Sequence, residues 1–190
     1  MAIVLPLPKE RDLLLNKQVD QDSIGELSKQ ILSINSDDEY LSQLNSLHGY
    51  TYNPKPIKIY IDSYGGYVYQ CLGLLGIMEH SKTPIHTITT GCAMSCGFLI
   101  AITGHKRYAY NKSTFLYHQV SGGAVGKTKD IEEKVVEIRQ LQKLIEKHTL
   151  DNTKISVDKL KKVYNEKIDW YINSKKALEL GIIDEIIENK

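Results

Sequence analysis

The sequence predicts an α/β fold with a mainly parallel sheet, and three observations predict it. Short runs rich in β-branched and aromatic residues alternate with helical periodicity along the chain, and glycine-containing turns sit where strands hand over to helices. A long amphipathic stretch follows in the second half. In chain order, strands are expected at 12–15 (DLLL), 58–61 (KIYI), 84–90 (PIHTITT), 107–110 (RYAY), 113–120 (STFLYHQV) and 182–187 (IIDEII). Helices are expected at about 22–34, 38–47, 67–80, 93–103, 128–149, 156–166 and 174–180.

The individual elements follow from local pattern. After Gly66, residues Val68, Cys71, Leu72, Leu75 and Met78 form one apolar stripe, which marks a core-facing helix. From Asp130 onward, Ile131, Val135, Ile138, Leu141 and Ile145 share a side, while Glu132, Glu133, Lys134, Arg139 and Lys143 lie elsewhere. A helix of about 20 residues reaches roughly 30 Å, enough to project and meet another subunit. Residues 35–56 are polar, turn-prone and closed by Pro54 and Pro56, and read as surface. Neither an internal repeat nor a linker is visible, so 1–190 is expected to form one domain.

Composition excludes several functions. Lys and Arg total 24 against 23 acids, and a net charge of +1 leaves no footprint for nucleic acid or an anionic membrane surface. Three cysteines without framework spacing suit a reducing, cytoplasmic setting. Cys92 and Cys96 have a spacing open to metal, but nothing nearby completes a second ligand pair, so no metal or cofactor is expected. The N-terminal MAIVLPLPKERD is broken by Pro6 and Pro8 and lacks a preceding basic residue, unlike a secretory signal. Residues 87–104 carry no charge, but their threonines, glycines and Ser95 point to a buried strand, turn and helix rather than a membrane span.

Chemistry is expected at the two glycine turns, at the carboxyl ends of strands. In YIDSYGGYV, Gly65 and Gly66 can turn backbone N–H groups toward an anion, although neither nucleotide-binding spacing is present. In TGCAMSCG, Ser95 lies among small residues at the start of a helix, where its hydroxyl stays accessible and developing negative charge is favoured. A serine nucleophile needs a base, and His118 at the rim of STFLYHQV is the candidate; His48, His80, His105 and His148 read as surface residues. Spacing leaves the third member open among Asp62, Asp130, Asp169 and Asp184, and leaves Cys96 as a rival nucleophile.

Together, IDSYGG, TGCAMSCGFLIA, FLYHQ, GGAVGKTKDIE and IDWYINSKKALELGIIDEI resemble the ClpP family, the proteolytic subunits of the Clp protease, in order from Lys9 to Ile187. The resemblance implies a ClpP/crotonase-like superhelix of repeated β-β-α units with a projecting handle helix, the handle region covering about 121–150. It implies serine endopeptidase activity without a cofactor, with Ser95 as nucleophile, His118 as base and Asp169 as its orienting carboxylate. The backbone N–H groups of Gly66 and Cys96 become the oxyanion donors, and Gly65, Gly122 and Gly123 fall at substrate-binding positions. Implied partners are a peptide or unfolded protein, further copies in a heptameric ring or stacked rings, and an AAA+ unfoldase.

The chain departs from the family at several points. Tyr64 and Val120 replace prolines, and Ile168 stands where the family has an arginine that pairs across the ring-ring junction. Most of the family's N-terminal axial segment is missing from the sequence, which suits a shortened, phage-type protease working without an unfoldase. Rival expectations are a crotonase-type acyl-CoA hydratase or isomerase and a non-catalytic ring subunit.

Overall fold

The computed structural model describes residues 9–188; most of the N-terminal stretch weighed as a secretory signal lies outside them. The described elements are β1 (Asp12–Leu15), α1 (Gln21–Leu47), β2 (Ile57–Ser63), α2 (Val68–Glu79), β3 (Ile85–Met94), α3 (Cys96–Ile102) and β4 (Lys106–Tyr110). There follow β5 (Thr114–Tyr117), α4 (Thr128–Asn152), α5 (Val157–Asn165), β6 (Trp170–Asn173), α6 (Ser174–Glu179) and β7 (Glu185–Ile187). The alternation read from the sequence is therefore a mixed α/β architecture around one seven-stranded sheet.

The strands run parallel in the order β1-β2-β3-β4-β7, and β5 and β6 lie off this path. The branch originates in β3. Its first half, His86 to Thr89, pairs with β4, and its second half, Cys92 to Met94, pairs with β5. Between the halves the register with β2 slips from Ile61↔Thr89 to Ser63↔Ala93, a bulge that bends the strand. Asp62 fills the slip, its carboxylate accepting the Cys92 N–H at 2.9 Å. A Cβ at Gly91 would lie 2.5 Å from the Asp62 carboxylate, so a side chain there would push the carboxylate from its place. Around the sheet, α1 packs on α2, α2 on α3 and α3 on α4. Ile59, Ile61, Leu74, Met78, Phe98, Ile100 and Phe115 are among the side chains fully buried in one continuous core.

Four expectations are corrected. The helices placed at 22–34 and 38–47 are one helix, α1, with a capping box of Asp20 and Ser23 at its start. Ile24, Leu27, Ile31, Ile34 and Asp38 form its buried face; residues 35–47, read as turn-prone, are helical but, Asp38 apart, lie at the surface as expected. Asp38 is tolerated there because Arg11 grips both its oxygens at 2.8 and 2.6 Å, and the Tyr52 and Thr83 hydroxyls donate to it at 2.7 Å each. Second, the strand expected at 113–120 ends at Tyr117, short of His118. Third, β6 was not anticipated, and the strand expected at 182–187 is confined to β7. Fourth, β3 runs on to Met94, where the sequence suggested that a helix begins.

The loop between α5 and β6 is a Schellman motif, in which Lys167 N–H donates to Tyr164 C=O and Ile168 N–H to Val163 C=O. Lys167 occupies the left-handed position, φ 54°, that glycine usually takes. Ile168 packs against the core, which gives the residue at the family's arginine position a local packing role. The 25-residue α4 is about 37 Å long. Its buried residues, Leu141, Gln142, Ile145 and Thr149, all lie in the second half, so the first half projects as the sequence anticipated. Among the described residues no helix is long and apolar enough to cross a membrane.

Two stability effects follow. Replacing Asp38 with Ala leaves the Arg11 guanidinium without its carboxylate, and urea unfolding at fixed protein concentration should show a loss of about 3 kcal/mol. Burial raises the Asp38 carboxyl, but the Arg11, Thr83 and Tyr52 hydrogen bonds outweigh it and hold the pKa below its ordinary value. This contribution is complete above the unfolded carboxylate pKa of about 3.9 and is lost as pH falls through the lower folded value. Lys167→Gly relieves the left-handed strain and should raise stability by about 1 kcal/mol in the same assay.

Candidate active site

The site is built where two strand-to-helix turns touch. β2 turns into α2 through Gly65 and Gly66, with φ values of 92° and 156°. β3 turns into α3 at Ser95, whose φ of 53° and ψ of −119° form a sharp, strained corner with the side chain outside both elements. A Cβ on Gly65 would stand 2.6 Å from the Met94 carbonyl oxygen, 2.8 Å from the Ser95 Cβ and 2.9 Å from the Cys96 nitrogen. Only glycine permits that approach.

Hydrogen bonds fix which way each turn faces. Val19 N–H donates to Gly65 C=O at 2.8 Å, and Tyr67 N–H donates to Val19 C=O at 2.8 Å, so Val19 straps the turn from both sides. The peptides are trans, which puts the Gly66 N–H opposite the Gly65 carbonyl and hence away from Val19. By the same rule, the Ser95 carbonyl accepts from Leu99 N–H at 3.2 Å, and the Cys96 N–H points back out of the first turn of α3. Neither amide donates to a protein acceptor among the described residues. Val19 was not singled out from the sequence, since an isolated bridge between a loop residue and a glycine leaves no periodic signal.

Ser95 N–H donates to Leu116 C=O at 2.9 Å, which ties the serine corner to the strand ending just before His118. Ser95 and His118, both half-buried, line one cleft of about 50 Å³ together with Gly66, Cys96, Val68 and Leu99. β5 and β6 pair antiparallel, and the ladder ends at Tyr117 opposite Trp170, the residues next to His118 and Asp169 in the chain. Asp169 is exposed, and no hydrogen bond joins it to His118, or His118 to Ser95, among the described residues.

The other sequence candidates are engaged elsewhere. Asp62 fills the β-bulge, Asp130 accepts the Lys127 N–H at 3.2 Å, and Asp184 holds Arg107 at 2.6 Å. His148, read as a surface residue, has a side chain only 12% exposed and bridges Thr103 at 2.9 Å and Glu79 at 3.3 Å. Cys96 is 1% exposed, and its thiol donates to the Gly66 carbonyl at 3.3 Å. Its pKa is lowered, through the hydrogen bond with Cys71 and against burial, while the Cys71 thiol is pushed well up by that contact and by burial. The Cys96 sulfur thus faces inward, bracing one turn against the other. Burial, then Asp62, push the Cys92 thiol up to about 11.

Beyond His118 the chain is irregular up to α4. Val120 N–H donates to the buried Gln142 of α4 at 2.8 Å, and Gly122 lies against Ile138, where a Cβ would be 3.2 Å away. Gly122 and Gly123 are exposed. Gln142 was not identified from the sequence, because a glutamine on an otherwise charged helix carries no distinguishing signal.

Comparison with known proteins places the chain in a family. The family described as Clp protease matches residues 1–190. The ATP-dependent Clp protease proteolytic subunit 2 of a Synechococcus species is 31% identical over 186 residues, covering 97% of this chain and 86% of the relative. The proteolytic subunits 1 of Prochlorococcus marinus and of its subspecies pastoris are 31% and 32% identical, each over 97% of this chain and 87% of the relative. A parallel sheet with paired glycine and serine turns, and a match running the full length of the chain, lead to one conclusion: the chain belongs to the Clp protease family and is a serine-type peptidase.

Proposed function

We propose that Ser95 hydrolyses peptide bonds through an acyl-enzyme, with His118 as general base, Asp169 as its orienting carboxylate, and the Gly66 and Cys96 amides as the oxyanion hole. The observation that carries this reading is that Ser95 and His118 line one cleft with two amides that lack protein acceptors. In acylation the Ser95 oxygen attacks the carbonyl carbon while His118 takes its proton, and the carbonyl oxygen gains its charge between the two amides. The C–N bond then breaks and His118 returns the proton to the leaving amine. Water, activated by the same histidine, releases the acyl group and restores Ser95. Asp169 selects the imidazole tautomer that points a lone pair at the serine.

The hydrogen bonds along Ser95, His118 and Asp169 form when substrate or a neighbouring copy closes the cleft; catalytic hydrogen bonds in free enzymes are commonly long. The peptide lies extended beside the segment containing Gly122 and Gly123, adding its backbone to that edge, with Gly65 keeping the turn clear. Copies assemble through the projecting half of α4 into a heptameric ring or stacked rings, fed by an AAA+ unfoldase. The family match and the names of the relatives support that setting. Three free cysteines, Cys71, Cys92 and Cys96, favour a reducing, cytoplasmic environment. An acyl-CoA hydratase of related fold would have no use for the Ser95 and His118 pairing.

Ser95→Ala should lower kcat for a fluorogenic peptide by on the order of 10⁶-fold, and Cys96→Ala by less than about tenfold. The reverse ranking would make the thiol the nucleophile. A fluorophosphonate should label Ser95 in the wild type and only slowly in His118→Ala; equal labelling would remove His118 as the base. Gly65→Ala pushes on Ser95 and the Cys96 amide and should reduce kcat by about 100-fold with the circular dichroism spectrum unchanged.

A further inference from the structure

β5 ends at Tyr117, so His118 lies outside the sheet, one residue beyond the last ladder pair with Trp170. A general base works only within hydrogen-bond reach of the proton it takes, so this short segment needs a support other than a strand. The support comes from α4.

Gln142 is 6% exposed, on the face of α4 that meets the core. Its Oε1 accepts the Val120 N–H, two residues after His118, at 2.8 Å. Its Nε2 donates to Glu146, one turn further along the helix, at 2.8 Å. The same side chain touches the residue before His118 as well. Burial, then the Glu146 charge, push the Tyr117 phenol pKa up, and a hydrogen bond with the Gln142 side chain draws it back. One glutamine thus grips the chain on both sides of the histidine. One turn earlier on the same helix face, Ile138 backs Gly122, 3.2 Å from where a Cβ would stand, so the segment is seated along α4.

The partners allow the amide a single orientation. A main-chain N–H can only donate and a carboxylate only accepts, so the carbonyl end goes to Val120 and the NH2 end to Glu146. Glu146 in this way aims Gln142. The arrangement goes with a departure in sequence, since Val120 stands where the resemblance puts proline. A proline has a fixed φ and no N–H to satisfy. Valine frees the angle and adds a donor, and Gln142 answers both changes. We propose that Gln142 is a positioning residue: aimed by Glu146 and acting through the Val120 N–H, it holds the segment that carries His118 so that the imidazole stays within reach of Ser95. The proposal rests on the assignment of His118 as base, and a control separates the two.

Fluorophosphonate labelling of Ser95 is timed in the full chain, because the probe needs the base but not the peptide-binding segment. Gln142→Leu should label about tenfold more slowly than the wild type, with kcat for a fluorogenic peptide down by a similar factor and KM within about threefold. Leucine leaves the Val120 N–H unpaired, whereas Val120→Pro removes that donor and fixes φ. The double variant Gln142→Leu/Val120→Pro should therefore return to within about threefold of the wild type. A side chain that only filled space would not be rescued in this way. Circular dichroism and native mass matching the wild type show that each variant folds and assembles, and Gln142→Met takes the place of Gln142→Leu if the latter does not. Unchanged labelling in the glutamine variant, a rise in KM with kcat unchanged, or a loss that persists with Val120→Pro overturns the proposal. If His118→Ala labels as fast as the wild type, the base assignment has failed and the proposal falls with it. Slow labelling in His118→Ala beside normal labelling in Gln142→Leu removes the proposal alone.

Discussion

The close approach of the Gly65–Gly66 turn to the Ser95 corner is the constraint from which the rest of the site follows. Each turn alone is an ordinary handover from strand to helix. Placed together, they need a residue without Cβ at Gly65, a left-handed serine at the corner, and an external strap at Val19 to set the peptide planes. The cysteine thiol between them donates to the Gly66 carbonyl and adds a link that main-chain bonds do not supply. The two amides thus have their direction set by hydrogen bonds within the protein itself.

The bulge at Asp62 and Gly91 does a comparable job for the sheet. A regular β3 would stay paired with β4 along its length and end beside it. The slipped register turns the second half of β3 onto β5, and Ser95 then bonds to Leu116 two residues before His118. A sheet defect is therefore what brings the serine corner and the histidine strand together. The polar Asp62 side chain serves the backbone here, by replacing the ladder bond that the bulge removes from Cys92.

Much of this was legible in the sequence. Strands with apolar runs, the helices after each glycine turn and the projecting α4 follow from periodicity, and the motifs that carry Ser95 and His118 come together at one cleft. What failed to show depended on partners distant along the chain. α1 looked broken because its stripe passes through Asp38, and partners distant in sequence, Arg11 27 residues earlier together with Tyr52 and Thr83, make an aspartate acceptable there. β6 is four residues long and exists through pairing with β5, so its own pattern was too short to register. His148 looked like a surface residue for the same reason, because Thr103 and Glu79 come to it from two other helices.

β5 and β6 form the antiparallel pair in a sheet whose other ladders are parallel. That pairing has a consequence for how the site tolerates change. Strand side chains alternate faces, so slipping β6 by a single residue turns Trp170, Tyr171 and Ile172 each to the other side of the sheet. The Schellman turn before Asp169 sets the phase of the strand, with Ile168 anchored in the core as its index mark. A one-residue insertion or deletion between that turn and β6 would leave every motif readable while turning the buried Ile172 out of the core. The machinery is guarded less against altered letters than against altered spacing.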